Sequence, residues 1–149
     1  MMASGHEVTS VGRAAAAAVA SFAVAAALAT AAGCGAPADE EKAAASVARA
    51  FHAAVDHRQG PAACDLLAPQ TRRALERVSQ LPCAKAVLAG KLAAAGDVRT
   101  VRLAGDQAQV ALARDTVFLA VSAKNWKIVA AGCRPRGGQQ PYACLIAEN

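Results

Sequence analysis

The stretch VRTVRLAGDQAQVALARDTVFLAVSAKNWKIVAAGC, residues 98–133, decides the fold. Its apolar residues recur at every second position, the period of a strand with one buried face. Val101 and Leu103 lead into a Gly105–Asp106 turn, after which Ala108, Val110 and Leu112 share a face. Val117, Leu119 and Val121 lead into a Lys124–Asn125 turn, and Trp126, Ile128 and Ala130 share the next face. Connections this short join antiparallel neighbours, so the spacing predicts a meander. Asp115 reads as a turn residue between strands. Trp126 reads as core, because Ile128 lies on the same strand face. Beyond residue 133, RPRGGQQP (134–141) is a loop and YACLIAE (142–148) a last strand.

Upstream the period changes to that of a helix. ADEEKAAASVARAFHAAVDHRQG (38–60) carries Ala44, Val47, Ala48, Phe51 and Val55 as one apolar stripe. Asp39, Glu40 and Glu41 favour its start by meeting the positive end of the helix dipole. His57, Arg58 and then Gly60 mark its end, with glycine as the cap. Residues 61–96 read as two or three short helices, because Pro61, Pro69 and Pro82 each suit a first helical turn and Gly96 closes the segment. Helices first and a meander afterwards give an α+β domain with its helices packed on one sheet face. No internal repeat is visible.

The first third of the chain has another character. Ala14–Gly33 carries no charge and follows Arg13, the layout of a secretory signal. It ends in AAGC, with Ala31, Ala32 and Gly33 before Cys34, which resembles the processing site of bacterial lipoproteins. In those proteins the cysteine is acylated and becomes the new N-terminus. Ala31 departs from the larger aliphatic residue commonest at its position. The expected organisation is a signal over 1–33, a lipidated tether over 34–42 and an α+β domain over 43–149. The expected place is the outer face of the cytoplasmic membrane, with two acyl chains or more for stable anchoring. Ordinary cleavage near Ala32 would instead release a secreted protein. Retention of the run as a membrane span is the third reading, and a poor one, because alanine is only mildly apolar.

The 149 residues carry a formal net charge of +5. Removal of residues 1–33 leaves that value unchanged, because Arg13 and Glu7 depart together. The basic residues are dispersed, with only Arg72 and Arg73 adjacent. No aromatics interleave them as single-strand binding requires, so nucleic acid is not an expected partner. Beyond residue 33 the aromatics are Phe51, Phe118, Trp126 and Tyr142. The core must therefore be built from Leu, Val and Ala, and a small core of that kind gains from covalent staples.

With Cys34 assigned to lipid, Cys64, Cys83, Cys133 and Cys144 form an even set outside the reducing cytoplasm. Four cysteines allow three pairings. The local pairs Cys64–Cys83 and Cys133–Cys144 tie a helical hairpin and close the 134–141 loop, and neither requires the helical half to reach the strand end. Each is worth roughly 3 kcal/mol by loop-closure entropy. The cysteines lack the short-spaced pairs of zinc sites, and no metal or cofactor is expected.

No HExxH, GxSxG, phosphate-binding loop or CxxC is present. His52 and Asp56 are four residues apart and share a helix face. Their plainer reading is a surface pair flanking the Phe51–Val55 stripe. His57 reads as a helix-end residue.

The phrases VARAFHAAV (47–55), ACDLLAPQTRRALE (63–76), DTVFLAV (115–121) and AAGCRPR…QPYAC (130–144) resemble small lipoproteins of high-GC Gram-positive bacteria. Those proteins carry a nuclear-transport-factor-2-like, cystatin-like domain, and the likeness spans roughly residues 40–146. It implies a cone: a curved sheet wrapped around a long helix, with a pocket at its open end. It implies no activity, because such folds host isomerases, dehydratases and binding modules alike. Two functions follow as expectations. The preferred one is a non-catalytic envelope module that binds a protein or a small apolar ligand. The other is a ketosteroid-isomerase-like lyase or isomerase using Asp56, His52 and Tyr142, which requires all three to face one concavity.

Overall fold

The computed structural model describes residues 37–148. The signal expected over 1–33 and the acylation site Cys34 lie outside the described residues. Four helices precede five strands: α1 (Pro37–Asp56), α2 (Gly60–Leu66), α3 (Pro69–Ser79), α4 (Cys83–Ala89), β1 (Val98–Ala104), β2 (Gln107–Leu112), β3 (Thr116–Ser122), β4 (Asn125–Cys133) and β5 (Ile146–Ala147). The strands form one open antiparallel sheet in sequence order. The domain is α+β, as the two periods predict.

Helix α1 begins at Pro37, so most of the stretch expected to be a tether is helical. Proline suits a first turn and Asp39 and Glu40 meet its dipole. The Glu40 carboxylate accepts the indole N–H of Trp126 at 2.8 Å, tying that first turn to β4. Further along, Ala44, Ala48 and Phe51 are buried. Small residues at 44 and 48 let the helix approach the sheet closely, and Phe51 fills the centre of the core beside Val110, Val117, Leu119 and Ile128.

The end of α1 differs from the expected glycine cap. Arg58 takes the left-handed conformation at φ 57°. Its N–H reaches the Val55 carbonyl and that of Gln59 reaches Ala54, a Schellman arrangement with arginine where glycine is usual. Gly60 serves another purpose: it opens α2 against the backbone of α4. A Cβ there would stand 2.1 Å from the Ala84 carbonyl oxygen. Glycine is needed for that approach, not for a turn.

Pro61 and Pro69 stand in the first turns of α2 and α3, and Pro82 is the residue before α4. Cys64 on α2 is bonded to Cys83 at the start of α4. Glu76 of α3 accepts the Cys83 backbone N–H at 3.0 Å, supplying the cap that Pro82 has no polar side chain to give.

In the sheet, Ala108, Val110, Leu112, Val117, Leu119, Trp126 and Ile128 are buried against the helices, as the alternation predicts. Four expectations fail locally. The β3–β4 turn is Ala123–Lys124, both at positive φ, one residue earlier than expected. Val121 is substantially exposed at the sheet end. The last strand is reduced to Ile146–Ala147, preceded by an isolated Arg134–Ala143 bridge. Finally, β4 slips twice against β3: Leu119 faces Ile128, but Phe118 faces Ala130 and Thr116 faces Cys133. Each slip is a bulge, an extra residue that reverses the faces beyond it. Ala130 therefore stands on the outer face with Phe118, and Ala131 takes the buried position.

Gly60→Ala should cost about 1–3 kcal/mol, the range for forcing atoms into a packed site. Urea unfolding compared with Ala62→Gly, an exposed change in the same helix, checks it. Equal midpoints for Gly60→Ala and the parent would contradict the close approach.

Candidate functional site

The residues singled out from the sequence do not converge. His52 is buried and Asp56, one turn on, is exposed. The His52 Nε2 lies 2.8 Å from Oδ2 of Asp115, which is 63 residues away in the chain and also buried. Asp115 does sit between strands, but its side chain points inward. Its Oδ1 accepts the Cys133 N–H at 2.8 Å and its Oδ2 accepts the Gly132 N–H at 3.1 Å. A carboxylate offers only acceptors, so the imidazole must donate through Nε2. The other nitrogen, Nδ1, is buried without a partner among the described residues. This cluster joins α1, the β2–β3 connection and the distal end of β4. The expected surface pair of His52 with Asp56 is thus replaced by a buried pair of His52 with Asp115. Spacing could not reveal it, because the partner comes from the other half of the chain.

Tyr142 lies on the opposite side of the sheet. Its ring packs edge-on against Phe118 with centroids 5.1 Å apart, and its hydroxyl accepts the Gln109 amide N–H at 3.0 Å. Phe118 and Gln109 are outward members of β3 and β2, facing each other across the ladder. The sheet therefore separates Tyr142 from the buried His52–Asp115 pair. His57 follows α1 and is exposed. Trp126 is in the core, as read.

The cysteines come together in two local pairs, Cys64 with Cys83 and Cys133 with Cys144. The second holds the 134–144 segment against the end of β4 and so brings Tyr142 over the sheet. Gly132 is at φ +67°, and a Cβ there would meet Leu92 and Leu145 at 2.7 and 2.9 Å.

A concavity of about 810 Å³ lies on the outer sheet face. A single cross-strand row runs through it: Arg102, Gln109, Phe118, Ala130 and Ala147, one from each strand. Ala104, Gln107 and Ala120 form the neighbouring row. Alanines and the β2 glutamines Gln107 and Gln109 make the floor, Phe118 the aromatic wall, and Arg102 and Glu148 the charged ends. The volume lies within the range that holds a small organic ligand. None of His52, Asp56 or Tyr142 lines it. The sequence hid this groove because the alternation that marks a buried face says nothing of how the other face is shaped. The bulge that turns Ala130 outward also leaves no compositional mark.

Among the described residues no group of three His, Cys, Asp or Glu side chains is placed to hold a metal ion. No helix among them is long and apolar enough to cross a membrane.

Asp115→Ala would leave two buried amides and the imidazole without acceptors. We expect a loss of roughly 3 kcal/mol or more, against less than about 0.5 kcal/mol for Asp56→Ala on the surface. Urea unfolding of both variants decides it, and equal losses would refute the assignment. No family model, curated protein or solved structure matches the chain.

Proposed function

We propose that the chain is a membrane-anchored extracytoplasmic binding module, non-catalytic, whose ligand site is the outer face of the sheet. The groove carries this reading. It is a wide concavity with alanines and two glutamines on its floor, one aromatic wall and a charged group at each end, the mixture of apolar surface and a few placed polar groups that a small-molecule site uses. The Cys133–Cys144 bridge supports it by holding Tyr142 against Phe118, which stiffens the wall. Two disulfides also fit an oxidising compartment. That location agrees with residues 1–33 as an export signal and Cys34 as the acylated residue. The likeness to nuclear-transport-factor-2-like lipoproteins belongs to the same proposal. A long helix on an antiparallel meander supports it, while the groove on the face away from that helix is a point of difference.

The lyase or isomerase reading asks Asp56, His52 and Tyr142 to surround one concavity. Asp56 is in solvent, His52 is committed to Asp115, and Tyr142 stands across the sheet, so the geometry offers that reading no support.

Two measurements test the proposal. Mass spectrometry of the mature protein from membranes should find Cys34 at the N-terminus with at least two acyl chains. An unmodified Cys34 in a secreted protein, or a retained Met1, would overturn the anchor. Ala120→Trp, on the groove floor, should abolish co-purification of small apolar molecules while leaving the unfolding free energy within about 0.5 kcal/mol of the parent. Undiminished ligand recovery would overturn the groove as the site.

A further inference from the structure

The groove has a polarity of its own. Of the residues that line it, only Arg102 and Glu148 carry charge. Arg102 is on β1 and Glu148 follows β5, the two edges of the sheet. Four inter-strand spacings separate them, about 19 Å. The two ends are not equivalent. Oε1 of Glu148 accepts the hydroxyl proton of Thr71, a fully buried residue of α3, at 2.9 Å. Arg102 forms no ion pair among the described residues. Between the ends the floor is Ala104 of β1, Gln107 and Gln109 of β2, Ala120 of β3 and Ala130 of β4, with Phe118 beside them.

On the strength of the groove reading, we infer that the ligand is an anionic amphiphile, a long-chain carboxylate. Its head meets the Arg102 guanidinium, and its hydrocarbon body crosses the aliphatic stems of Gln107 and Gln109 on β2 to lie against Phe118, Ala120 and Ala130 on β3 and β4. Three features select it. The planar guanidinium presents two parallel N–H donors to a planar carboxylate. A single cation balances a single negative charge, and no second cation lines the groove to balance a dianionic phosphate. Glu148, already engaged by Thr71, repels an anion from the β5 end and so fixes the direction in which the ligand lies. The floor from β1 to β4 spans three strand spacings, about 14 Å, which suits a chain of about twelve carbons. Phe118 is held in place by Tyr142, so little side-chain freedom is lost when the chain packs against it.

The test follows the methyl resonances of Ala104, Ala120 and Ala130 in the full chain, purified without detergent, during titration with dodecanoate or dodecanol. These methyls report the groove alone, whatever either amphiphile does at the apolar N-terminal run. Dodecanoate should shift them saturably, and dodecanol should bind at least tenfold more weakly. Arg102→Gln should lower dodecanoate affinity about tenfold, to the level of dodecanol, and leave dodecanol unchanged. Equal affinity of the two amphiphiles, or an Arg102→Gln variant with parental dodecanoate affinity, would overturn the anionic head while leaving the apolar groove standing. Unshifted methyls with both amphiphiles, in a chain whose spectrum is that of the folded protein, would overturn the groove itself.

Discussion

The carboxylate of Asp115 is the point on which the two halves of the molecule meet. Where β4 slips against β3, the backbone N–H groups of Gly132 and Cys133 lose their regular ladder and aim at one place. Successive amides beside a left-handed residue form a concavity suited to an anion, and Asp115 fills it with both oxygens. The remaining reach of Oδ2 is toward His52 of α1. One side chain therefore settles the bulge, the position of the long helix and the approach of the β2–β3 connection. Buried amides without such a partner would each cost about 1–3 kcal/mol. Everything beyond depends on it: the bulges turn Ala130 outward to shape the groove, and Cys133 is set where Cys144 can reach it.

Around that point the core is thin. Apart from Phe51, Trp126 and the Cys64–Cys83 pair it is made of Val, Leu, Ile and Ala. Alanine buries little apolar surface, so stabilisation must come from closeness rather than bulk. The chain achieves this with small residues on α1 and with Gly60, which brings α2 onto the α4 backbone. The Cys64–Cys83 bridge crosses the same α2–α4 contact and restricts the unfolded chain where the folded one has least side-chain volume to contribute. Trp126 and Glu40 act similarly at the other end of α1, joining a residue of the last long strand to the first helical turn.

What could be read from the sequence was what repeats locally. Alternation in residues 107–112 and 116–119 predicts the buried face because a strand shows its period within a few residues. The prolines mark three helix starts because a missing N–H is harmless there. What escaped is long-range or aperiodic. Counting by twos places Ala130 with Ile128, and a bulge at Val129 is invisible to that count. Asp115 looks like any residue of a tight connection until the strand facing it is known to present two free amides. Gly60 carries the mark of a helix cap, yet it is needed for closeness to Ala84, a contact 24 residues away in the chain. The groove escaped for a similar reason: its lining comes at most three residues at a time from each of five strands.

The division of labour between the faces follows from α1's geometry. Residues four apart on a helix differ by about 40° around its axis. Near the middle of an apolar stripe that offset keeps both side chains on one side. At the stripe's margin it is enough to bury one and expose the other, which is the situation of His52 and Asp56. Once His52 is inside, its imidazole needs an acceptor, and Asp115 provides one that already serves the bulge. The inward face of the sheet is thereby closed: the Asp115 carboxylate is bonded to His52 and to backbone, and the volume is filled by Phe51 and the strand side chains. Among the described residues no helix lies over the middle of the outward face, because α1 lies on the inward face and α3 reaches the β4–β5 edge through Thr71. One face of the sheet is thus filled by the core, and the other carries the concavity. Arg102, which forms no ion pair among the described residues, stands there.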